Sequence, residues 1–340
     1  DVRKDYAILG YDTERCPDMY AWIMERAAEL TSENGFYGMI VPLSLAFSSG
    51  FQPLRQLLLK EFDANWFSSF ARIPAALFSA DVRVRNTIHI GQRCGHQGNY
   101  TTSTHRWFEV ARPHLVERIE YAKFDPAIWG GLIPKLGNQR LMYALEVTKQ
   151  RIKPLDAKIV SQANRYQLYF KKSAYNWVSF AFDPAPSYGA NGKQLPITET
   201  GLTSFESKDS AALAHTFLNG KIGLIWWMLL GDDFHVTKAN FEGIPFPTDM
   251  PQSDLNALIA LSEELTDCIK QNIVFKLNAG KRIGNYNLAK CRNVTDKSDA
   301  IWMRHLGIDG LWSDIELAYS QIVKTDFDSK GQDESGEFDS

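Results

Sequence analysis

At 340 residues and 44% hydrophobic content, the chain is long enough for two domains and apolar enough to bury substantial cores. Its formal net charge is only −3, no run of eighteen apolar residues occurs, and the opening Asp1-Val2-Arg3-Lys4-Asp5-Tyr6 lacks the apolar centre of a signal peptide. Neither a membrane-spanning helix nor a secretory leader is expected, and a cytoplasmic location is. Cys16, Cys94, Cys268 and Cys291 are scattered without paired spacing, which fits reduced thiols better than a disulfide framework. Cys94, His96 and His105 share a short stretch but have neither zinc-finger spacing nor a fourth ligand, so no metal site is expected.

In chain order, residues 5–12 read as a polar loop. Asp18 suits the cap of a helix over 19–30, with apolar positions at Tyr20, Ile23, Met24, Ala27 and Leu30. Gly35 is expected to supply a left-handed cap, and Met39 to Val41 a short buried strand stopped by Pro42. Residues 51–62 place Leu54, Leu57, Leu58 and Phe62 at helical spacing and leave Arg55, Lys60 and Glu61 for solvent. Two further strand candidates, 66–70 and 84–90, are joined by residues 72–82, whose tip carries the aromatic Phe78. A polar loop over 92–106 and a helix over 114–121 then close an α/β sheet domain, with a boundary near Lys123.

The pieces Asp18 to Ala27, Gly35 to Pro42, Leu54-Arg55-Gln56-Leu57-Leu58, and Leu77-Phe78 leading into Asn86-Thr87-Ile88 stand in a recognisable order. Together they resemble the carboxyl-terminal half of the catalytic domain of adenine-specific DNA methyltransferases of the Taq and Eco57I type. The resemblance implies the end of a Rossmann-like, S-adenosylmethionine-dependent sheet over residues 1–122. It also implies that the target adenine is flipped out of duplex DNA and held between aromatic rings. Phe78 falls where one of those rings stands, and such stacking is worth roughly 1–3 kcal/mol. From the residue alone, the plainer reading is that Phe78 plugs a sheet edge, and it is the order of the pieces that turns the reading to base stacking. The glycine-containing loop for the methyl donor, S-adenosylmethionine, and the Asn-Pro-Pro-Tyr motif are expected upstream of Asp1. Asp183-Pro184-Ala185-Pro186-Ser187-Tyr188 is a partial likeness to that motif, but it is interrupted and follows Phe78, so it reads as a proline-rich turn.

From Lys135 to Lys172 nine basic residues face only Glu146 and Asp156. Lys149, Arg151, Lys153, Lys158, Arg165, Lys171 and Lys172 are the DNA-contact candidates within it, because cations gain from releasing counterions condensed on phosphates. The alternative is a solvated basic face. Residues 165–170 and 175–182 alternate as half-buried strands do. Residues 211–218 and 221–230 read as a broken helical pair joined at Gly220, and Phe234-His235-Val236-Thr237 followed by Ile244-Pro245-Phe246-Pro247 again resembles the specificity region of the same enzymes. There Lys238 is a further phosphate candidate. By the resemblance, residues 123–250 form an α+β target-recognition domain.

From Asp254, Leu255, Leu258, Ile259, Leu261 and Leu265 form a helical stripe that Ile269, Ile273 and Phe275 continue. Residues 281–287 read as a polar turn, and 298–306 begins another helix. Residues 251–325 are thus expected to be a helical region, and 326–340, with six acids and one lysine, a disordered tail. Two readings stand. One is part of a site-specific adenine methyltransferase of a restriction-modification system, inactive alone because its cofactor loop and aromatic motif lie in a missing amino-terminal half or a partner chain. The other is a non-catalytic DNA-binding specificity module that works with a separate catalytic chain.

Overall fold

The computed structural model describes residues 10–78, 82–95, 97–196 and 200–323. The tail expected to be disordered and His96 lie outside them. The chain is mixed α/β and divides into two compact units, Asp1–Val147 with Met228–Asp232, and Thr148–Trp227 with Asp233–Ser340. Among the described residues no helix is long and apolar enough to cross a membrane.

The first unit holds the helices α1 (Tyr20–Leu30), α2 (Ser44–Phe47) and α3 (Gln52–Glu61) and the strands β1 (Phe36–Pro42), β2 (Ala64–Phe70), β3 (Asn86–Gln92), β4 (Gly98–Thr101) and β5 (Ala122–Lys123). Its five-stranded sheet runs in the order β1-β3-β2-β4-β5. Strand β3 is antiparallel to both β1 and β2, so a reversed strand separates two parallel ones, and β4 is parallel to β2. The strand expected as a continuous buried run instead alternates. Tyr37 and Val41 are buried while Phe36 and Ile40 are 66% and 46% exposed, because β1 is an edge strand covered on one face.

The turn before β1 uses Asn34 in the left-handed conformation, φ 61°, rather than Gly35. Gly35 is needed for space, since a Cβ there would meet the Ser32 carbonyl oxygen at 2.8 Å. Arg55, expected in solvent, is 1% exposed. Its guanidinium donates to the carbonyls of Gly131, Leu45 and Ser48 at 2.8, 2.9 and 2.8 Å, filling acceptors at the carboxyl end of α2 and in the turn at Gly131. The expected helix over 114–121 is instead a pair of 3₁₀ turns, Glu109–His114 and Val116–Arg118, with Pro113 inside the first, where its missing N–H prevents a regular ladder.

Residues 123–147 belong with the first unit. The Phe124 amide donates to the Asn99 carbonyl at 2.9 Å, the Ile133 amide to the Ala46 carbonyl at 3.0 Å and the Gly137 amide to the Ser103 hydroxyl at 3.0 Å. The observed division accordingly falls after Val147, within helix α4 (Gln139–Arg151).

The second unit contains a four-stranded antiparallel sheet, β6 (Ile159–Val160), β10 (Thr200–Phe205), β7 (Gln167–Lys171) and β8 (Phe180–Ala181) in that order, and a smaller sheet of β11 (Ile273–Asn278), β12 (Lys281–Tyr286) and β9 (Ser187–Tyr188). Around them lie α5 (Lys208–Leu218), α6 (Lys221–Leu230, whose end returns to the first unit), α7 (Lys238–Glu242), α8 (Gln252–Gln271), α9 (Arg292–Leu306) and α10 (Trp312–Ile322). Ser207 caps α5 by accepting from the Ser210 amide at 3.1 Å. Phe217, Phe246 and Trp302 form an aromatic core with centroids 5.0–5.5 Å apart. Of the strand expected over 175–182 only Phe180–Ala181 is extended into the sheet. The chain before it is drawn aside where the Ala174 amide donates to Phe234.

Candidate nucleic-acid interface

Phe78 sits on the connection between β2 and β3, and its ring is 41% exposed. The base of that loop is held from several directions. Ala75 donates its amide to the Trp107 carbonyl at 3.0 Å. Leu77 packs against the buried cluster of Phe70, Ala75, Trp107 and Leu115. The Arg112 guanidinium donates to the carbonyls of Ala76 and Leu77 at 2.8 and 2.9 Å while pairing with Glu109. Phe78 makes no ring contact among the described residues. The loop thus carries an exposed aromatic residue on a backbone held by side-chain and main-chain bonds. Residues 79–81, the remainder of the tip, lie outside the described residues.

The polar stretch over 92–106, a candidate to approach phosphates, is mostly interior. It forms β4 and then continues beside β2. Thr101, Thr102, Thr104 and Arg106 are all buried, the Thr102 hydroxyl accepts from the Ser69 amide at 3.0 Å, and His105 exchanges backbone bonds with Ser69 and Ala71. The Thr102 side chain thus satisfies a strand amide. Among the described residues no three His, Cys, Asp or Glu side chains gather to hold a metal.

The basic candidates separate by what they touch. Arg151 donates to the Leu306 carbonyl at 2.9 Å, at the carboxyl end of α9, where a cation completes the helix terminus. Lys158 pairs with Glu206 at 2.7 Å, and the Lys171 ammonium donates to the Asn285 side chain. Lys149 is half-buried, and burial holds its ammonium below the ordinary lysine range. Lys135, from the same run of charge, is buried and donates to the Leu229 carbonyl at 2.7 Å.

Lys153, Arg165, Lys172 and Lys238 are exposed. Three of them flank one segment. The Lys172 carbonyl accepts from the Val236 amide at 2.8 Å, Lys238 opens α7 two residues later, and the Lys153 carbonyl accepts from the Phe246 amide at 2.9 Å. The stretch 234–246 thus lies between the backbones that carry Lys172 and Lys153. A capping box between Thr237 and Asn240 fixes the start of α7 and with it the position of Lys238. Arg165 stacks over the Tyr166 ring at 5.0 Å and donates to its hydroxyl at 2.7 Å. The carbonyl of His235, in this segment, accepts from the Trp227 indole at 2.9 Å.

One surface element was not legible in the sequence. The stripe expected to continue α8 through Ile273 and Phe275 stops at Gln271, and residues 273–286 form the β11–β12 hairpin, so the expected polar turn over 281–287 is largely strand. The proline-rich segment 183–188 supplies its base, with Ser187 and Tyr188 pairing to Ile283 and Arg282. The signal was Ala279-Gly280, a two-residue turn with Ala where Asn is usual.

No family model matches the chain. No curated protein matches it either. Among solved structures it is similar to the type IIL restriction-modification enzyme MmeI in complex with DNA, at 8% identity and a TM-score of 0.42, covering 92% of this chain and 52% of that one. It is also similar to a DrdV–DNA complex, at 12% identity and 0.33, covering 78% and 41%. A third is the type IIG restriction endonuclease BpuSI, at 9% and 0.29, covering 89% and 48%. The chain spans about half the length of these structures.

Proposed function

We propose that the chain is the carboxyl-terminal part of a site-specific, adenine-specific DNA methyltransferase of a restriction-modification system. In this reading the first unit presents Phe78 to a flipped adenine and the second binds the duplex. The observation that carries the reading is the braced loop between β2 and β3 that holds an exposed aromatic ring beside a sheet in which β3 is reversed between parallel β1 and β2. Stacking needs a ring whose face is free and whose backbone does not yield, and the bonds from Arg112 and Ala75 supply the second condition.

The methyl group comes from S-adenosylmethionine, and no residue of this chain is assigned to holding it. The cofactor loop and the Asn-Pro-Pro-Tyr motif belong, on this reading, to an amino-terminal half or to a partner chain. The uncovered edge of β1 is where such a sheet would continue. Lys153, Lys172 and Lys238, with Arg165, are the leading phosphate contacts, because their charges point outward.

The second reading, a specificity module without chemistry of its own, draws on the same outward cations of the second unit. One pair of experiments separates the two. In the enzyme completed by its missing half, Phe78→Ala is expected to impair transfer of labelled methyl to DNA while duplex binding survives. Undiminished turnover would remove Phe78 from the mechanism and favour the binding module. For the chain alone, duplex affinity should fall steeply with added salt. Salt-independent binding would reduce the cations to a solvated face.

A further inference from the structure

We propose that the β11–β12 hairpin is a DNA-reading arm, a two-stranded ribbon that enters the major groove of the duplex with Lys276, Lys281 and Arg282 as its cations and Leu277 near its tip. The proposal rests on the reading of the chain as DNA-binding and adds to it the element that reads the groove.

The hairpin is built as a projection with a rigid foot. At the foot, the Trp177 indole donates to the Tyr286 carbonyl and the Tyr286 hydroxyl to the Asp183 carbonyl, both at 2.9 Å, and the Asn287 amide donates to Asn272 at 2.9 Å. Gly284 lies so close to the Pro186 carbonyl that a Cβ would stand 2.1 Å from its oxygen. Beyond the foot everything is exposed, from Phe275 through Asn278 on one strand and Lys281 and Arg282 on the other, with Leu277 76% exposed. Ala279 and Gly280 at the tip both take positive φ, 46° and 74°, which gives the turn whose twist matches a two-residue hairpin.

Charge and size select the partner. Residues 273–286 carry three cations and no acid, so the arm complements a polyanion. Four exposed residues of strand extend roughly 13 Å at about 3.3 Å each. That is enough to reach the floor of a major groove about 8.5 Å deep and 12 Å wide, whereas a minor groove about 6 Å wide takes a ribbon only when the duplex is deformed to widen it, at a cost in energy. The register places Phe275, Leu277 and Arg282 on one face and Lys276, Asn278 and Lys281 on the other. The Arg282 guanidinium lies 4.9 Å over the Phe275 ring, which orders its fork before binding. Arg and Asn are the side chains that pair bidentately with guanine and adenine edges, and an apolar tip suits a thymine methyl.

The test uses the full chain and a fluorescein-labelled random-sequence duplex, with affinity measured by anisotropy from about 50 to 200 mM salt. The hairpin variant K276A/K281A/R282A is compared with wild type and with K153A/K172A/K238A, and circular dichroism confirms that each is folded. The hairpin variant should lower the slope of log affinity against log salt by about two. Methyl green, a major-groove ligand, should displace the wild type, and a minor-groove ligand should not. Wild-type binding with a hairpin variant of equal affinity and slope overturns the arm and leaves the DNA-binding reading standing. Absence of wild-type binding overturns both. Displacement by the minor-groove ligand alone overturns the groove.

Discussion

His89 gives a prediction whose size follows from the structure. It stands on β3 with no exposed surface. Phe67 stacks on it at 4.6 Å, and Tyr37 and Phe62 lie at 5.4 and 6.0 Å. Asn65 gives its amide to Phe62 and Asn99, so its carbonyl must accept the 2.9 Å bond from His89 Nε2. That fixes the neutral tautomer, and Nδ1 is buried with no partner for a proton. Burial pushes the imidazole down to about 3. An unfolded histidine titrates near about 6.5, so between these values the unfolded state binds more protons than the folded one. Stability is therefore fully present above about 6.5 and is lost as pH falls through the window. At pH 5.5 the loss from this group is about 1.4 kcal/mol, and at pH 4.5 about 2.7 kcal/mol. The first figure hardly depends on the folded value once that value lies well below 5.

The assay is urea unfolding followed by tryptophan fluorescence at pH 7.5 and 5.5 for wild type and His89→Gln, which keeps a donor for Asn65 and cannot take the proton. Titrations of other groups cancel in the comparison. The wild type should lose about 1.4 kcal/mol more than the variant over this interval. An equal loss in both proteins would show that His89 is protonated in the fold or that its cavity opens before it titrates.

Three other outcomes are expected. Arg55→Met should destabilise the first unit by about 3 kcal/mol or more, because three carbonyls lose a charged donor, and Arg55→Lys should recover little of it; urea midpoints check both. Brief native alkylation read by mass spectrometry should modify Cys94 and Cys268 but spare Cys16 and Cys291, which are buried, the Cys291 thiol being pushed up to about 12 chiefly by burial. Arg112→Ala should speed amide exchange around residues 75–78 while leaving global unfolding nearly unchanged, since its bonds hold only the base of the Phe78 loop; exchange of the 71–78 peptide decides it.

Where burial has one sign along an element, the sequence shows it. The apolar spacing of α1, α3, α5, α6 and α8 marks those helices, and Trp66 to Phe70 and Val84 to Ile90 lie close to β2 and β3. Errors arise where a polar group is satisfied at long range or an apolar stripe runs past a turn. Arg55 falls on the polar side of a helical projection, and only the turns around Leu45, Ser48 and Gly131 turn that side into an interior. The stretch 101–104 looks like a solvated loop because the partners of Thr102, the Ser69 amide and the Phe67 carbonyl, lie on a strand some thirty residues earlier in sequence. Ile269 and Ile273 keep helical spacing across Asn272, where the helix ends, which hid the hairpin. The place of Phe78 on a connection between two strands was legible in the sequence, whereas the bonds beneath that loop were not, since Arg112 and Trp107 lie outside it.

Local charge along the chain is an unreliable guide to the field at the surface. The basic run from Lys135 to Lys172 spends Lys135 and Arg151 on helix and turn carbonyls, Lys158 on Glu206 and Lys171 on Asn285. In the second unit Lys221 is consumed between Asp296 and Glu316 over the rings of Trp312 and Tyr319. These cations fix helix ends and junctions, and their removal would act on stability. The exposed candidate contacts Lys153, Arg165, Lys172, Lys238, Lys276, Lys281 and Arg282 come from three separate stretches of sequence in the second unit, while the first unit exposes Arg15, Lys60, Arg118 and Lys123. Residues 326–340 hold six acids against one lysine, so the rest of the chain is net positive although the whole is not. The exposed Phe78 and these seven cations therefore lie in different units of one chain, so a substitution at either can be read without disturbing the other.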